Sequence, residues 1–108
     1  AIICLASIDD KKERKNVIKH LKENGKEVID ITEEQVHAFA GNMLQVNGTD
    51  NQQYIVMSSS AYAILRKEQI QKIEKNNTII HSSLEAIETC GGGSARCMMA
   101  EVFLPKTN

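Results

Sequence analysis

A glycine run followed by a cation and a thiol is the segment of this sequence best suited to chemistry. Residues 91–98 read Gly-Gly-Gly-Ser-Ala-Arg-Cys-Met. Glycines allow the backbone to approach a ligand closely and to direct several N–H groups at one point. A thiol next to a positive charge, as Cys97 is next to Arg96, can ionise near neutral pH. Cys97 therefore has the setting of a cysteine nucleophile.

The same cysteine also has a purely structural interpretation. The apolar run at residues 98–104 predicts a buried strand. A lone cysteine at the start of such a strand is usually part of the core. Residue type alone therefore favours an inert thiol at Cys97, whereas the string of residues around it favours a nucleophile.

Residues 91–101, Gly-Gly-Gly-Ser-Ala-Arg-Cys-Met-Met-Ala-Glu, closely resemble the C-terminal nucleophile motif of the amidinotransferase and arginine deiminase superfamily, the pentein fold. The sequence is most similar to the bacterial amidinotransferase-like branch that includes the proposed citrulline utilisation hydrolases. Residues 38–44, Ala-Phe-Ala-Gly-Asn-Met-Leu, resemble the same group more weakly. The resemblance implies an α/β ring of five modules around a central channel. This chain would form about two of those modules, as the C-terminal part of a larger pentein domain.

The resemblance also implies a reaction. The thiolate of Cys97 would attack a guanidino or ureido carbon and form a covalent S-linked intermediate. Water would complete hydrolysis, or an acceptor amine would complete amidino transfer. Citrulline, arginine, a methylated arginine and an agmatine-like amine all remain candidate substrates. The substrate itself supplies the electrophilic carbon, so neither a metal nor an organic cofactor is expected.

An internal repeat predicts how these residues are positioned. A shift of 52 residues places residues 3–7 on residues 55–59, and Gly41 on Gly93. Repeated units of about 50 residues bury their faces against one another, and units that alternate strands with helices indicate an α/β architecture. We therefore expect a single domain over residues 1–108. It would contain a first unit at about 1–52 and a second unit at about 53–108.

Each unit has the same predicted order of elements. A strand leads into an amphipathic helix, a second strand follows, and a short capped segment precedes a strand that begins after a glycine. Thr32 and Gln35 fit a capping box at the start of the capped segment. Asn47-Gly48 predicts the hairpin turn between the units. The predicted first and second strands of the two units are residues 2–6, 27–31, 54–58 and 78–82.

The repeat also brings together the candidate substrate-binding residues. The loop before Asn42 occupies the place in the first unit that the glycine run occupies in the second. Equivalent loops of a pseudo-symmetric ring converge on one centre. We therefore expect substrate contacts beside Cys97 from Asn42, Gly93, Ser94 and Arg96. Two alternatives stay open, because Asn42 also suits a turn before a strand and Arg96 could instead form a surface ion pair.

Cysteine catalysis also needs a proton shuttle, usually a histidine. His37 is the best of the three histidines in this chain, since its loop should face the channel. The superfamily resemblance instead assigns the catalytic histidine and the guanidinium-binding carboxylates to modules upstream of residue 1. The fragment alone is then expected to be inactive. Thr89-Cys90 stands where arginine deiminases carry a substrate-binding arginine, which argues against free arginine as the substrate.

Composition narrows the class of protein. The net charge is −1 and the sequence contains no basic stripe, which argues against an electrostatic nucleic-acid binder. No stretch approaches the roughly 20 apolar residues of a membrane span. The 3 cysteines lack the spacing of metal ligands and predict reduced thiols in a cytoplasmic protein.

Other functions and partners are also compatible with the sequence. A pentein module can be a non-catalytic binding scaffold, because a fold does not establish chemistry. Cys90 and Cys97 could alternatively form a redox switch. Two modules of a ring would leave open strand edges, which tend to pair with other strands. We therefore expect association with an N-terminal remainder of the same protein, or self-association, in addition to a small-molecule guanidino or ureido substrate.

Overall fold

The computed structural model describes residues 1–100 and 102, which form a mixed α/β structure. Its strands and helices are, in chain order, β1 (Ile2–Ile3), α1 (Lys11–Glu23), β2 (Ile29–Asp30), α2 (Glu33–His37), β3 (Leu44–Asn47), β4 (Gln53–Ser58), α3 (Ser59–Ile64), α4 (Lys67–Glu74), β5 (Thr78–Ser82) and α5 (Glu85–Gly91). Short 3₁₀ turns lie at Leu5–Ser7 and Arg96–Met98. Within the described residues, no helix combines the length and the apolar character that a membrane crossing requires.

The first unit is built on a parallel strand pair with α1 as the crossover. The Asp10 side chain caps α1 by accepting a hydrogen bond from the Lys12 N–H at 2.7 Å. Gly25 follows the helix with a φ of +71°, in the left-handed region that glycine adopts without steric cost. The chain then returns so that β2 lies parallel to β1, with Ile2 opposite Ile29.

The second unit contributes β4 and β5 to a three-stranded sheet with the order β3-β4-β5. The central strand β4 is antiparallel to β3 and parallel to β5. Ile55 and Met57 alternate along β4 and are buried, as expected where one face of a sheet packs on the core. Ser58 is fully buried and caps α3. Its hydroxyl accepts a hydrogen bond from the N–H of Ala61 at 3.1 Å.

One cluster of buried residues joins the two units. Because β3 belongs to the first unit and pairs with β4 of the second, the sheet also crosses the boundary between them. Ala40 and Met43 are buried on either side of the turn that carries Asn42, so the core fixes that turn. The buried cluster consists of Cys4, Ile29, Ile31, Ala40, Met43, Ile55, Met57, Ala61, Leu65 and Ile73.

A buried pair of glutamine side chains links α2 to α4. Gln35 Nε2 donates to Gln69 Oε1 at 2.7 Å, and Gln69 Nε2 donates to Gln35 Oε1 at 3.1 Å. Each amide oxygen also accepts the N–H at the start of its own helix, from Thr32 for Gln35 and from Arg66 for Gln69. Both side chains lie in the interior, at 4% exposure. The pair therefore fixes α2, and the loop that follows it, against the second unit.

Several predicted elements agree with the structure. β5 has the predicted bounds Thr78–Ser82, and Thr32 and Gln35 form both hydrogen bonds of a capping box. β1 and β2 are shorter than predicted, since the chain turns into 3₁₀ geometry after β1. Both parallel pairs are joined by helical crossovers, but β1 and β2 pair residues 27 positions apart whereas β4 and β5 pair residues 24 apart. The units therefore share their topology and differ in register.

Of the two predictions for the ends of the units, the hairpin is confirmed and the final strand is wrong. The hairpin predicted at Asn47-Gly48 joins β3 and β4, and its loop closes where the Gly48 N–H donates to the Gln52 carbonyl at 2.7 Å. Asn51 takes the positive φ of this loop. Met98 lies in a 3₁₀ turn and is 55% exposed, so it does not begin a buried strand. Residues 99, 100 and 102 are also exposed and not in a strand, whereas residues 101, 103 and 104 of the predicted strand lie outside the described residues. No five-module ring is visible in the part of the chain that is described.

Candidate functional site

The Cys97 thiol lies on the surface, in the 3₁₀ turn that follows the glycine run. Its side chain is exposed, and its Sγ accepts a hydrogen bond from Asn42 Nδ2 at 3.0 Å. A second bond fixes the orientation of Asn42, because the backbone N–H of Arg96 donates to Asn42 Oδ1 at 2.9 Å. The amide oxygen can only accept, so the amide nitrogen must face the sulfur. Asn42, from the first unit, therefore presents a hydrogen-bond donor to a thiol of the second.

Three groups lower the pKa of the Cys97 thiol below its ordinary value. The largest cause is the hydrogen bond from Asn42, followed by a backbone hydrogen bond from Ser94. The positive charge of Arg96 contributes least, and slight desolvation acts in the opposite direction. Hydrogen-bond donors favour the thiolate because they bind the anion more strongly than the neutral thiol. Cys97 therefore holds more of the reactive thiolate at neutral pH than an ordinary cysteine does.

The glycines of the run differ in backbone conformation and in the space around their Cα atoms. Gly92 ends α5 with a φ of +68°, a conformation that favours glycine. Gly93 lies against the nucleophile, since a Cβ at this position would be 3.0 Å from Cys97 Cβ and 3.1 Å from Cys97 Sγ. A Cβ on Gly91 would meet nothing within 4 Å. A side chain at position 93 would therefore press against the thiol, whereas a side chain at position 91 would not.

Ser94 is fully buried beneath the turn that carries the thiol. Its hydroxyl donates to Glu88 Oε2 of α5 at 2.8 Å. Its carbonyl accepts the backbone N–H of Cys97 at 3.1 Å, which closes the 3₁₀ turn. The Ser94 side chain thus points into the protein, and its backbone is the part that faces the thiol.

Arg96 is exposed and makes its main contact through its backbone, to Asn42. Its guanidinium lies 3.5 Å from the Met43 carbonyl, at the limit of hydrogen-bonding distance. Among the described residues, no carboxylate lies within ion-pair distance of it. Its side chain instead lines a groove of about 800 Å³ together with Lys26 and Lys72. Cys97 does not line this groove, although it is the next residue in the chain.

In the described part of the chain, no histidine hydrogen-bonds Cys97. His37 is exposed at the end of α2 and lines a cavity of about 250 Å³ that Cys97 does not line. His81 belongs to β5, where its Nδ1 lies 3.0 Å from Ser59 Oγ and its ring stacks on Tyr62 with 4.2 Å between centroids. The third histidine is exposed on α1. The base that Cys97 needs is therefore not seen among these three side chains.

The remaining cysteines have different surroundings. Cys4 is free and buried in the core, and Cys90 is free and exposed on α5. Cys90 and Cys97 are not joined by a disulfide. Over residues 1–100 and 102, no group of three or more histidine, cysteine or acidic side chains is arranged to hold a metal ion.

The sequence offers Glu85 and Glu88 as a possible acid–base pair, but it does not predict that Glu88 is buried beside this site. Glu88 is 8% exposed although α5 otherwise lies on the surface. Its contact with Ser94 crosses the end of the helix and the glycine run, so no helical periodicity signals it. The only available signal was an acidic side chain shortly before the glycine run, a pattern that usually marks a solvated helix face.

A comparison with known families identifies the kind of protein that carries this site. Residues 1–104 match the family model described as N,N dimethylarginine dimethylhydrolase, eukaryotic. The chain belongs to this family. The family is part of the pentein superfamily and consists of hydrolases that act on guanidino groups. It agrees with the superfamily that the glycine-run motif indicated, and it does not single out the citrulline utilisation branch. No curated protein and no solved structure matches the chain.

Proposed function

We propose that this protein hydrolyses a C–N bond at the guanidino carbon of a small arginine-like molecule, with Cys97 as the nucleophile. The observation that carries the proposal is the hydrogen bond from Asn42 to Cys97 Sγ. It gives a surface thiol a donor from the opposite unit, beside a glycine that leaves room for a ligand. A structural cysteine is packed in the core, as Cys4 is. Family membership supports a guanidino substrate.

In the proposed reaction, the Cys97 thiolate attacks the planar guanidino carbon, and a C–S bond forms in a tetrahedral adduct. The C–N bond to the leaving amine breaks as that nitrogen takes up a proton, which leaves an amidino group on the sulfur. Water then adds to the same carbon and loses a proton. The C–S bond breaks, and the ureido product and the thiolate are released.

The residues around the thiol have separate proposed roles. Asn42 favours the thiolate and orients Sγ, while the backbone of Ser94 supplies a second donor. Gly93 leaves space for the substrate carbon beside the sulfur. Arg96 contacts the polar end of the substrate that extends toward the groove. We propose that the proton donor and the guanidinium-binding carboxylates come from a preceding module of the same protein or from a second copy.

A methylated arginine is the substrate class that we propose first, because the matched family model specifies N,N-dimethylarginine. Citrulline and an agmatine-like amine are the alternatives. Thr89-Cys90 ahead of the glycine run argues against free arginine. Hydrolysis is proposed over amidino transfer because the description of the family names a hydrolase. A reactive thiol of this kind stays reduced in the cytoplasm, where we place the protein.

The proposal can be tested by alkylating the intact protein with iodoacetamide and resolving each cysteine by peptide mass spectrometry. We expect Cys97 to react faster than Cys90 at neutral pH, because Asn42 donates to the Cys97 thiol and favours its thiolate. Saturating N,N-dimethylarginine should slow the reaction of Cys97 and leave that of Cys90 unchanged. In a turnover assay with the module that supplies the proton donor and the carboxylates present, Cys97→Ser should abolish the release of dimethylamine, whereas Cys90→Ser should not.

Equal reactivity of the two thiols, without protection by any guanidino or ureido ligand, would contradict the proposal. The protein would then be better described as a non-catalytic binding module. Protection of Cys97 by citrulline instead of dimethylarginine would keep the nucleophile and change the substrate. A loss of two hydrogens on mild oxidation, reversed by reductant and dependent on both Cys90 and Cys97, would favour a redox switch instead.

A further inference from the structure

A buried carboxylate lies beneath the glycine run and has no part in the reaction proposed above. Glu88 is on α5, is 8% exposed, and accepts a hydrogen bond from Ser94 Oγ at 2.8 Å. Ser94 is itself fully buried. A buried carboxylate is costly unless it is hydrogen-bonded, so this contact strongly favours a single position for Ser94.

The position of Ser94 decides the geometry of the thiol through the backbone. The Ser94 carbonyl accepts the N–H of Cys97 at 3.1 Å and so closes the turn that carries the thiol. If Ser94 moved, this contact would change, and Sγ would move relative to Asn42. Ser94 is therefore the link between the carboxylate on α5 and the sulfur.

We propose that Glu88 is a positioning residue for Cys97, which acts by anchoring Ser94 and hence the turn that carries the thiol. The inference rests on the proposed function of Cys97 and extends it to a residue that touches neither the sulfur nor a substrate. Glu88 holds the nucleophile in place, as a supporting side chain does for a preorganised catalytic group.

The charged groups around this arrangement allow anchoring to be distinguished from a direct charge effect. On the α5 side, Glu85 and His37 line the same cavity as Glu88. On the thiol side, the described charged neighbour is Arg96. A negative charge acting directly on the thiol would disfavour the thiolate. Removal of Glu88 would then make Cys97 more reactive at neutral pH, whereas loss of an anchor would make it less reactive.

The test measures the pH dependence of iodoacetamide alkylation at Cys97 in the intact chain. Glu88→Ala should lower the alkylation rate at neutral pH about three- to tenfold and move the midpoint of the profile to higher pH, because a donor to the thiolate is lost. Glu88→Gln keeps an oxygen that can accept the Ser94 hydroxyl and should retain most of the original rate. Glu85→Gln is the matched control on the same helix and should leave the profile unchanged.

Ser94→Ala provides an independent variant in case removal of the carboxylate side chain disrupts α5. It removes the hydroxyl and should move the Cys97 profile in the same direction as Glu88→Ala. Circular dichroism and the alkylation rate of Cys90, also on α5, report whether the helix is intact.

An unchanged Cys97 profile in folded Glu88→Ala would overturn the anchoring role, as would a midpoint that moves to lower pH. A Glu88→Gln variant as impaired as Glu88→Ala would overturn it too. These outcomes concern the thiol alone. Failure of the proposed reaction would appear separately, as turnover that survives Cys97→Ser.

Discussion

At the scale of single residues, a neutral amide lowers the pKa of the Cys97 thiol more than the neighbouring cation does. Arg96 is adjacent to Cys97 in sequence, yet its charge is the smallest of the causes that lower the thiol pKa. Its side chain is exposed, where water screens its charge. Asn42 donates directly to Sγ, and the backbone of Arg96 holds the Asn42 amide in the necessary orientation. Arg96 thus contributes more through its backbone than through its charge.

This arrangement predicts an order of thiol pKa values for substitutions at Asn42. Asn42→Ala removes the donor, so the pKa of Cys97 should rise. Asn42→Asp can still accept the Arg96 N–H but places a carboxylate oxygen against the sulfur, so the pKa should rise further. The thiolate is the reactive species, so the midpoint of alkylation against pH should increase from the unaltered protein to Asn42→Ala to Asn42→Asp. Site-resolved mass spectrometry of iodoacetamide labelling measures all three.

The exposed Asn47 on β3 offers a control for this series, and Asn47→Ala should leave the Cys97 profile unchanged. If Asn42→Asp labelled at the same midpoint as the unaltered protein, the Asn42 contact would have no influence on the thiol.

Gly93 leads to a second prediction at this scale. A methyl group on Gly93 would lie 3.0 Å from Cys97 Cβ and 3.1 Å from Cys97 Sγ, which is closer than ordinary van der Waals contact. Gly93→Ala should therefore displace the thiol from Asn42. Misplacement of a reacting group by about 1 Å can cost about a hundredfold in rate. With the module that supplies the proton donor present, we expect turnover to fall roughly tenfold, with the thermal midpoint of unfolding almost unchanged. Gly91→Ala, which meets nothing within 4 Å, is the matched control and should retain full activity.

At the scale of secondary-structure elements, the first turns of two helices are tied together by the Gln35–Gln69 pair. Each side chain caps its own helix and also bonds the other. Gln35 Nε2 reaches the carbonyl of Ile64, and Gln69 Nε2 reaches that of Asp30. A buried amide network that is fully satisfied stabilises one arrangement of its elements, and a partly satisfied one is costly. The loop that carries Asn42 follows α2, so this pair contributes to its placement.

The prediction for this pair is a strong coupling in unfolding free energy. Gln35→Ala and Gln69→Ala should each destabilise the protein by about 1–3 kcal/mol, because each leaves buried polar groups without partners. The double variant should cost less than the two single costs combined, since the second deletion removes a group already left unsatisfied. Urea unfolding measures the three values. Gln71→Ala, on the exposed face of α4, should change stability little. Additive costs would show that the two amides act independently.

The same pair shows which features the sequence could predict. Thr32 and Gln35 lie three residues apart, and the capping box they form was predicted because its geometry is local. The contact between Gln35 and Gln69 spans 34 residues, and nothing in a capping pattern specifies a tertiary partner for a side chain that is already hydrogen-bonded. β5 was predicted with correct bounds because the β-favouring residues Thr78, Ile79 and Ile80 lie between the turn signals Asn76-Asn77 and Ser82-Ser83.

The site was partly predictable because the internal repeat indicates which loops, distant in sequence, lie close together. Equating the loop of Asn42 with the glycine run placed both at one centre, and the structure brings Asn42 to Cys97. The 3₁₀ turn at Arg96–Met98 was not predicted, since an apolar run there indicated a strand. The hydrophobic pattern of a sequence does not predict a turn that depends on a backbone hydrogen bond to Ser94. The burial of Glu88 against Ser94 was not predicted, for the same reason.

At the scale of the whole molecule, the two units have one core and one candidate site. Cys4 of the first unit lies in the same buried cluster as Ile55, Met57 and Ile73 of the second. Asn42 and Cys97 also come from different units. Neither unit would therefore retain a complete core or a complete thiol environment if it separated from the other. Such a shared core favours all-or-none unfolding in a chain of this size.

The last prediction is that both units unfold in a single transition, and the chain contains a separate probe for each. Both tyrosines, Tyr54 and Tyr62, lie in the second unit, and the chain has no tryptophan, so intrinsic fluorescence reports that unit alone. Cys4 is buried in the first unit, so its alkylation in urea reports exposure of that unit. The two probes should give the same midpoint, and Cys90, exposed in the folded state, should label throughout. If Cys4 became reactive at a distinctly lower urea concentration than the fluorescence change, the first unit would unfold independently. The donor from Asn42 would then be lost from Cys97 before the second unit unfolds, and the pKa of the thiol would rise while its own unit remained folded.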